Sequence, residues 1–204
     1  MRLLPFISCL SLLACSSPYK KLYGVSGDPA CIQQLKPVFP SVLYKTNVSV
    51  VGKQFSGLLL VKTTQDSSIH LVFTSETGIT FFNFEFSQTG GFKVHYILKQ
   101  MDRKAVIKTL RKDFEMVLWK NTDMGHGRVY ADSLYRYNAF PQESGTNYYI
   151  TDSSCHQLVR IERGSSTKVV AEARMNHPAD GVPDSITIRH RNFNFSIVLT
   201  KIRN

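Results

Sequence analysis

The side chains able to do acid–base, nucleophilic or metal chemistry are six histidines (His70, His95, His126, His156, His177 and His190) and four cysteines (Cys9, Cys15, Cys31 and Cys155). Their spacing builds no known reaction centre. There is no His-Glu-x-x-His, no His-x-His and no Cys/His cluster of the kind that closes on a metal. His126 lies in Gly125-His126-Gly127, the most loop-like setting of the six, where a solvated histidine is the simpler assignment. Cys155 and His156 are neighbours, and on a strand neighbouring side chains point to opposite faces, so they make no dyad. Ser56 in Phe-Ser-Gly and Ser144 in Glu-Ser-Gly lack the glycine frame of a nucleophile elbow. No glycine-rich loop could cradle a phosphate, and no cofactor motif is present. The chain is therefore expected to be no enzyme, with no cofactor and no metal.

One cysteine does have a chemical context. Arg2 precedes a predominantly apolar run, Leu3 to Leu13, which falls short of the ~20 residues a bilayer span needs. Such a run followed by small residues is an export signal. Its end, Leu12-Leu13-Ala14-Cys15, resembles the lipobox of bacterial lipoproteins. In that family the cysteine becomes the first mature residue and carries acyl chains on its thiol and amine. The resemblance implies a signal peptide over residues 1–14, lipidation at Cys15 and attachment to the membrane through that residue. A plain secretory signal with an incidental cysteine is the alternative. No acidic residue follows Cys15 directly, since the chain continues Ser16-Ser17-Pro18-Tyr19-Lys20-Lys21. By the same resemblance this points to an outer-membrane lipoprotein facing the periplasm, with residues 15–42 as a lipidated tether.

An exported Cys31 and Cys155 would meet an oxidising compartment, where they are candidates for a disulfide; two independent thiols are the alternative. The chain has 25 Lys and Arg against 15 Asp and Glu, a formal charge of +10. No basic cluster is interleaved with aromatics, so nucleic acid is not an expected partner. Anionic lipid head groups, or a solvated basic surface, account for the charge more simply.

The elements that must position these residues are mostly strands. Period-2 alternation predicts strands near 43–51, 53–64, 68–76, 78–87 and 91–98, separated by turn residues such as Gly52-Lys53 and Thr89-Gly90-Gly91. Short connections make these five an antiparallel meander. The period then changes: Val106, Ile107, Leu110, Phe114, Val117 and Leu118 recur at helical spacing, with Asp102 as the expected N-cap and Lys104, Lys108, Arg111 and Lys112 toward solvent. Strands resume near 128–138, 146–152, 156–163, 167–175, 185–191 and 194–202. Phe82, Phe84 and Phe86 share one strand face, as do Leu71 and Phe73, then Phe92, Val94, Tyr96 and Leu98, then Phe193, Phe195, Ile197 and Leu199. Strands with one greasy face curl into a sheet with an apolar concave side. The predicted fold is mainly β: an unclosed antiparallel β-barrel, a half-barrel of about eleven strands over residues 43–204, with one amphipathic helix covering or plugging the concave face.

A lipobox, a meander holding Phe55-Ser56-Gly57, the Leu-Val-Phe-Thr-Ser-Glu-Thr-Gly-Ile pair of strands (71–79), one helix and six further strands together resemble the LolA/LolB superfamily. More closely, the chain is similar to LolB-like outer-membrane lipoproteins of Bacteroidota-type bacteria. The resemblance implies a concave side that binds acyl chains, with Leu71, Phe73, Phe82, Phe84, Phe86, Tyr96 and Phe195 as candidates for the cavity wall. It implies a lipid or an acylated protein as ligand, and a part in envelope lipoprotein or lipid trafficking. The link Glu76-Thr77-Gly78 is short and polar where the receptor of that superfamily carries a protruding loop with an exposed leucine. Alternatively, the protein is a structural or assembly lipoprotein with a packed interior and another envelope protein as partner. A register slip of one residue would turn the whole candidate set to the other face.

Overall fold

The structure, a computed structural model, describes residues 18–165, 167–176 and 180–203. The expected signal peptide (1–14) and the lipidation site Cys15 lie outside the described residues. The strands are β1 (Tyr23–Gly24), β2 (Ser41–Val50), β3 (Lys53–Thr63), β4 (Ile69–Thr74), β5 (Thr80–Phe86) and β6 (Phe92–Ile97). The helix α1 (Lys104–Val117) follows, and then come β7 (Arg128–Ala131), β8 (Arg136–Pro141), β9 (Thr146–Thr151), β10 (Leu158–Gly164), β11 (Val169–Asn176), β12 (Ser185–His190) and β13 (Phe195–Lys201). All thirteen strands join one sheet in the order β1-β7-β8-β9-β10-β11-β12-β13-β2-β3-β4-β5-β6, so the barrel is unclosed and β1 and β6 are its edges. Every pairing is antiparallel, and the half-barrel with a covering helix is the observed fold.

Two hairpin meanders build the sheet. β2 to β6 run outward, α1 crosses over, and β7 to β13 run back until β13 pairs with β2, Phe195 opposite Val50 and Lys201 opposite Tyr44. Turn chemistry explains the hairpins. Val51 and Gly52 both take positive φ (46° and 78°), the two-residue turn whose twist matches that of the flanking strands. Gly57 serves a different need: a Cβ there would sit 2.0 Å from the carbonyl oxygen of Thr74, so only glycine lets β3 pass that close to the end of β4.

Three expectations are corrected in detail. The single strand expected over 128–138 is a hairpin, β7 and β8, because the Asp132 carboxylate accepts the backbone N–H groups of Leu134 and Tyr135 and turns the chain. Asp102 does not cap α1. It closes the 3-10 turn Lys99–Met101 as the residue after it, and Arg103 takes the cap position of α1 without a side-chain bond. Within the segment 15–42, expected as a tether, the described residues are built into the fold: Tyr23 and Gly24 pair with β7, and the 3-10 helix Pro29–Leu35 packs Ile32 into the core. Asp28 starts that 3-10 helix by accepting the N–H of Ala30. Cys31, within it, is joined to Cys155 by a disulfide across 124 residues of sequence.

α1 lies on the concave side. Its apolar stripe, Leu110, Phe114 and Val117, faces the sheet, and Phe114 packs against Phe82 with ring centres 6.0 Å apart. At its end Trp119 packs on Tyr149 at 4.4 Å, and the Tyr149 hydroxyl donates to the carbonyl of Met116. Among the described residues no helix is long and apolar enough to cross a membrane.

Candidate functional site

Six of the seven cavity-wall candidates form one packed core. Leu71 and Phe84 are 0% exposed, and Phe73, Phe82, Phe86 and Phe195 are buried with them. Phe82 stacks on Phe84 at 4.3 Å, Phe84 meets Phe92 at 5.2 Å, and Phe195 packs on the His190 ring at 5.0 Å. Tyr96 is the exception, lying 46% exposed on the convex face. The cause is a bulge: Asn83 pairs with Tyr96 but Phe84 pairs with Val94, so His95 is an extra residue and the alternation flips beyond it. None of the seven lines either of the two cavities beside α1; the phenyl face is the floor beneath that helix.

The open space lies on the other flank of the helix. Two cavities, of about 630 Å³ and about 690 Å³, share Lys108, Lys112, Ser144 and Arg163 in their walls. The first adds Lys104, Arg111, Glu115, Glu143 and Asn147; the second adds Thr109, Tyr148, His190 and Phe193. Their electrostatic root is a buried cluster. Asp113, on α1, is 0% exposed. It accepts from Arg163 Nη2 of β10 at 2.9 Å and lies 2.9 Å from Nε2 of His190, at the end of β12. A buried carboxylate is tolerable only with such partners. Arg163 is not satisfied in turn: its Nη1 is buried and has no hydrogen-bond partner among the described residues.

The cations around Arg163 reinforce it. Burial, and then the positive charges of Lys108 and Arg163, push the Lys112 ammonium below the ordinary lysine range, against the opposing pull of Glu143 and Glu115. Arg111 is engaged elsewhere, bonded to Glu115 at 2.7 Å and lying over the Phe92 ring. Lys108 and Lys112 form no salt bridge among the described residues. The wall of the second cavity carries Lys108, Lys112 and Arg163 and no carboxylate. That composition suits an anion, because a guanidinium and ammonium groups can bind phosphate or carboxylate oxygens by charge-assisted hydrogen bonds. The Asp113–His190 pair resembles part of a hydrolytic triad, but Nδ1 of His190 has no hydrogen-bond partner among the described residues, so no nucleophile is coupled to it.

Asp113 and Arg163 were the residues hardest to notice in the sequence, yet each leaves a mark there. Asp113 interrupts the stripe of Leu110, Phe114 and Val117, and Arg163 follows Ile161 on the inward face of its strand. Two opposite charges, each standing where an apolar side chain is due, signal a buried pair. His126 sits on the 3-10 turn Met124–His126 and pairs with exposed Asp123 at 2.7 Å. His70, Glu85 and His95, distant in sequence, meet on the convex face with ligand atoms within 4.8 Å of one another, and they form the one group among the described residues able to hold a metal ion.

No family model matches the chain, and no curated protein matches it. Several solved structures align with it along most of the chain, two of them as follows. One is a DUF1329 family protein from Desulfovibrio piger ATCC 29098, with a TM-score of 0.46 and 8% identity over 86% of this chain and 88% of that one. The other is a domain described as that of an outer membrane lipoprotein-sorting protein, from Vibrio parahaemolyticus, with a TM-score of 0.47 and 5% identity over 86% of this chain and 90% of that one.

Proposed function

We propose that this protein is a membrane-tethered envelope lipoprotein of LolB-like kind that binds an anionic amphiphile. The charged head group enters beside α1, and the acyl chains reach the apolar side of the half-barrel only by parting α1 from the phenyl face that it closes. The observation that carries this is Arg163, a buried guanidinium whose Nη1 is unpaired and whose cavities also hold Lys108 and Lys112. Leaving a buried donor unpaired costs about 1–3 kcal/mol, more for a charged group, and an anion that the guanidinium turns to meet from the cavity wall would remove that cost. The Cys15 anchor, the outer membrane and a part in lipid or lipoprotein trafficking belong to the same proposal. So does the absence of catalysis: the ligand is held and released unchanged.

The packed phenyl face favours a second function, that of an envelope assembly lipoprotein with a dry interior. Trp119, the only tryptophan, separates the two, because it is buried at the end of α1 within the same core as Phe82 and Phe84. Anionic phospholipid with brominated acyl chains is added to the full chain in mild detergent. Quenching of Trp119, together with anionic lipid retained in native mass spectrometry, is the expected result. Lipid retained without quenching leaves only head-group binding. Neither lipid nor quenching overturns the proposal and leaves the assembly role.

A further inference from the structure

The geometry points to a three-ligand site for a divalent transition cation, zinc(II) first, formed by His70, Glu85 and His95 on the convex face of the sheet. It is independent of the cavities beside α1.

Three adjacent strands supply one ligand each. His70 of β4 stands directly opposite Glu85 of β5. His95 is the extra residue of the bulge in β6, and without that insertion the strand would keep strict alternation. Alternation from Lys93, which stands opposite Glu85, puts His95 on the face that already carries His70 and Glu85, and the bulge turns Tyr96 out beside it. Both histidines turn Nε2 toward one carboxylate oxygen, Oε2 of Glu85, at 3.9 Å from His70 and 2.5 Å from His95. Their rings lie 5.7 Å apart with planes 24° from parallel.

A hydrogen bond explains His95 and Glu85 but not His70, whose nitrogen aims at the same oxygen from beyond hydrogen-bond range. A shared ion explains all three. Zinc bonds of ~2.0–2.2 Å in a tetrahedron hold ligand atoms about 3.3 Å apart. Reaching that arrangement takes adjustments of about 1 Å or less in partly exposed side chains on a rigid sheet. The side chains are 32%, 23% and 31% exposed, which leaves a face open for water as the fourth ligand. Two imidazoles and a carboxylate are ligands that suit zinc, and the open position resembles that of a site able to exchange its fourth partner. Lys62, opposite His70, and Lys93, opposite Glu85, add positive charge around the ion, so the affinity falls below that of a closed structural zinc site. Bound zinc would tie the edge strand β6 to β4 across β5.

The test titrates zinc(II) alone into the chelator-stripped, untagged full chain in detergent, by calorimetry and by thermal melting. One ion per chain and a rise in Tm are expected. His70→Gln, His95→Gln and Glu85→Gln should each weaken binding at least tenfold and cancel the rise, while His126→Gln changes neither. Cobalt(II) in place of zinc should give the visible absorption of a four- or five-coordinate ion, and His95→Gln should abolish it. Far-UV circular dichroism checks that each variant is folded. Absence of zinc binding by the wild type, or binding that survives the double change His70→Gln with His95→Gln, overturns the proposal. So does binding lost only with His126→Gln.

Discussion

The two flanks of the sheet meet the same helix in opposite ways. β3 to β5 offer α1 Leu59, Leu71, Phe73, Phe82, Phe84 and Phe86, and the helix answers with Leu110, Phe114 and Val117. β8 to β10 bury Asn138, Asn147 and Arg163 on the inward face, and the helix answers with Asp113 and Glu115. Apolar side chains can close on one another without regard to direction, and here all six on the sheet are buried. Charged groups must satisfy fixed directions, and a rigid frame rarely satisfies them all. The space left over is where both cavities lie. The greasy face that looks like a binding wall in the sequence is thus the closed side, and the side with room for a ligand is the charged one.

The contrast can be tested from its strongest element downward. Phe84→Ala opens a hole in the dry flank and should destabilise by about 4 kcal/mol in denaturant unfolding, within the range for buried Phe. Asp113→Ala strands Arg163 in the wet flank and should cost about 3 kcal/mol. The double change Asp113→Leu with Arg163→Met should recover most of that loss, because an apolar pair of similar volume commonly equals a buried ion pair. It should also abolish retention of anionic lipid. A double variant as unstable as Asp113→Ala would mean that the charges hold the fold and not a ligand. Lys108→Glu with Lys112→Glu should change stability by no more than about 0.5 kcal/mol, as for surface positions. The same pair should lower affinity for anionic vesicles at least tenfold.

The smallest effect belongs to the rim of the dry flank. Hydrogen bonds from Thr64 and Ser68 lower the Asp66 carboxyl from 3.8 to about 2. A carboxyl depressed in the folded state adds stability above its unfolded value and loses it as pH falls through the folded one. The Tm difference between wild type and Asp66→Ala should therefore be full at pH 7, shrink between about pH 4 and pH 2, and vanish below. A difference independent of pH would deny the carboxylate its role.

Much of the architecture was legible in the sequence because alternation reports faces directly. Phe82, Phe84 and Phe86 are buried on one face as their spacing requires. Alternation fails where one residue is inserted or one carboxylate folds back. His95 turned Tyr96 outward, and Asp132 cut one strand into two. The site was harder to read, because its parts come from α1, β10 and β12 and only the sheet order brings them together. Asp113 and Arg163 could have been marked as charges out of pattern. The meeting of His70, Glu85 and His95 needed the register of three strands, which no single strand's alternation supplies.

The disulfide has a mechanical consequence. A pull on the chain ahead of Tyr19 is met first by that residue, whose hydroxyl donates to Glu162 at 2.9 Å and whose ring stacks on Tyr148, and then by the short pairing of β1 with β7. Should that give way, the load passes through residues 25–30 to Cys31 and crosses a covalent bond into the turn at Cys155. The 3-10 helix beyond Cys31, and β2 after it, are bypassed, so tension on a leash enters between β9 and β10 and leaves the meander beneath α1 unstrained.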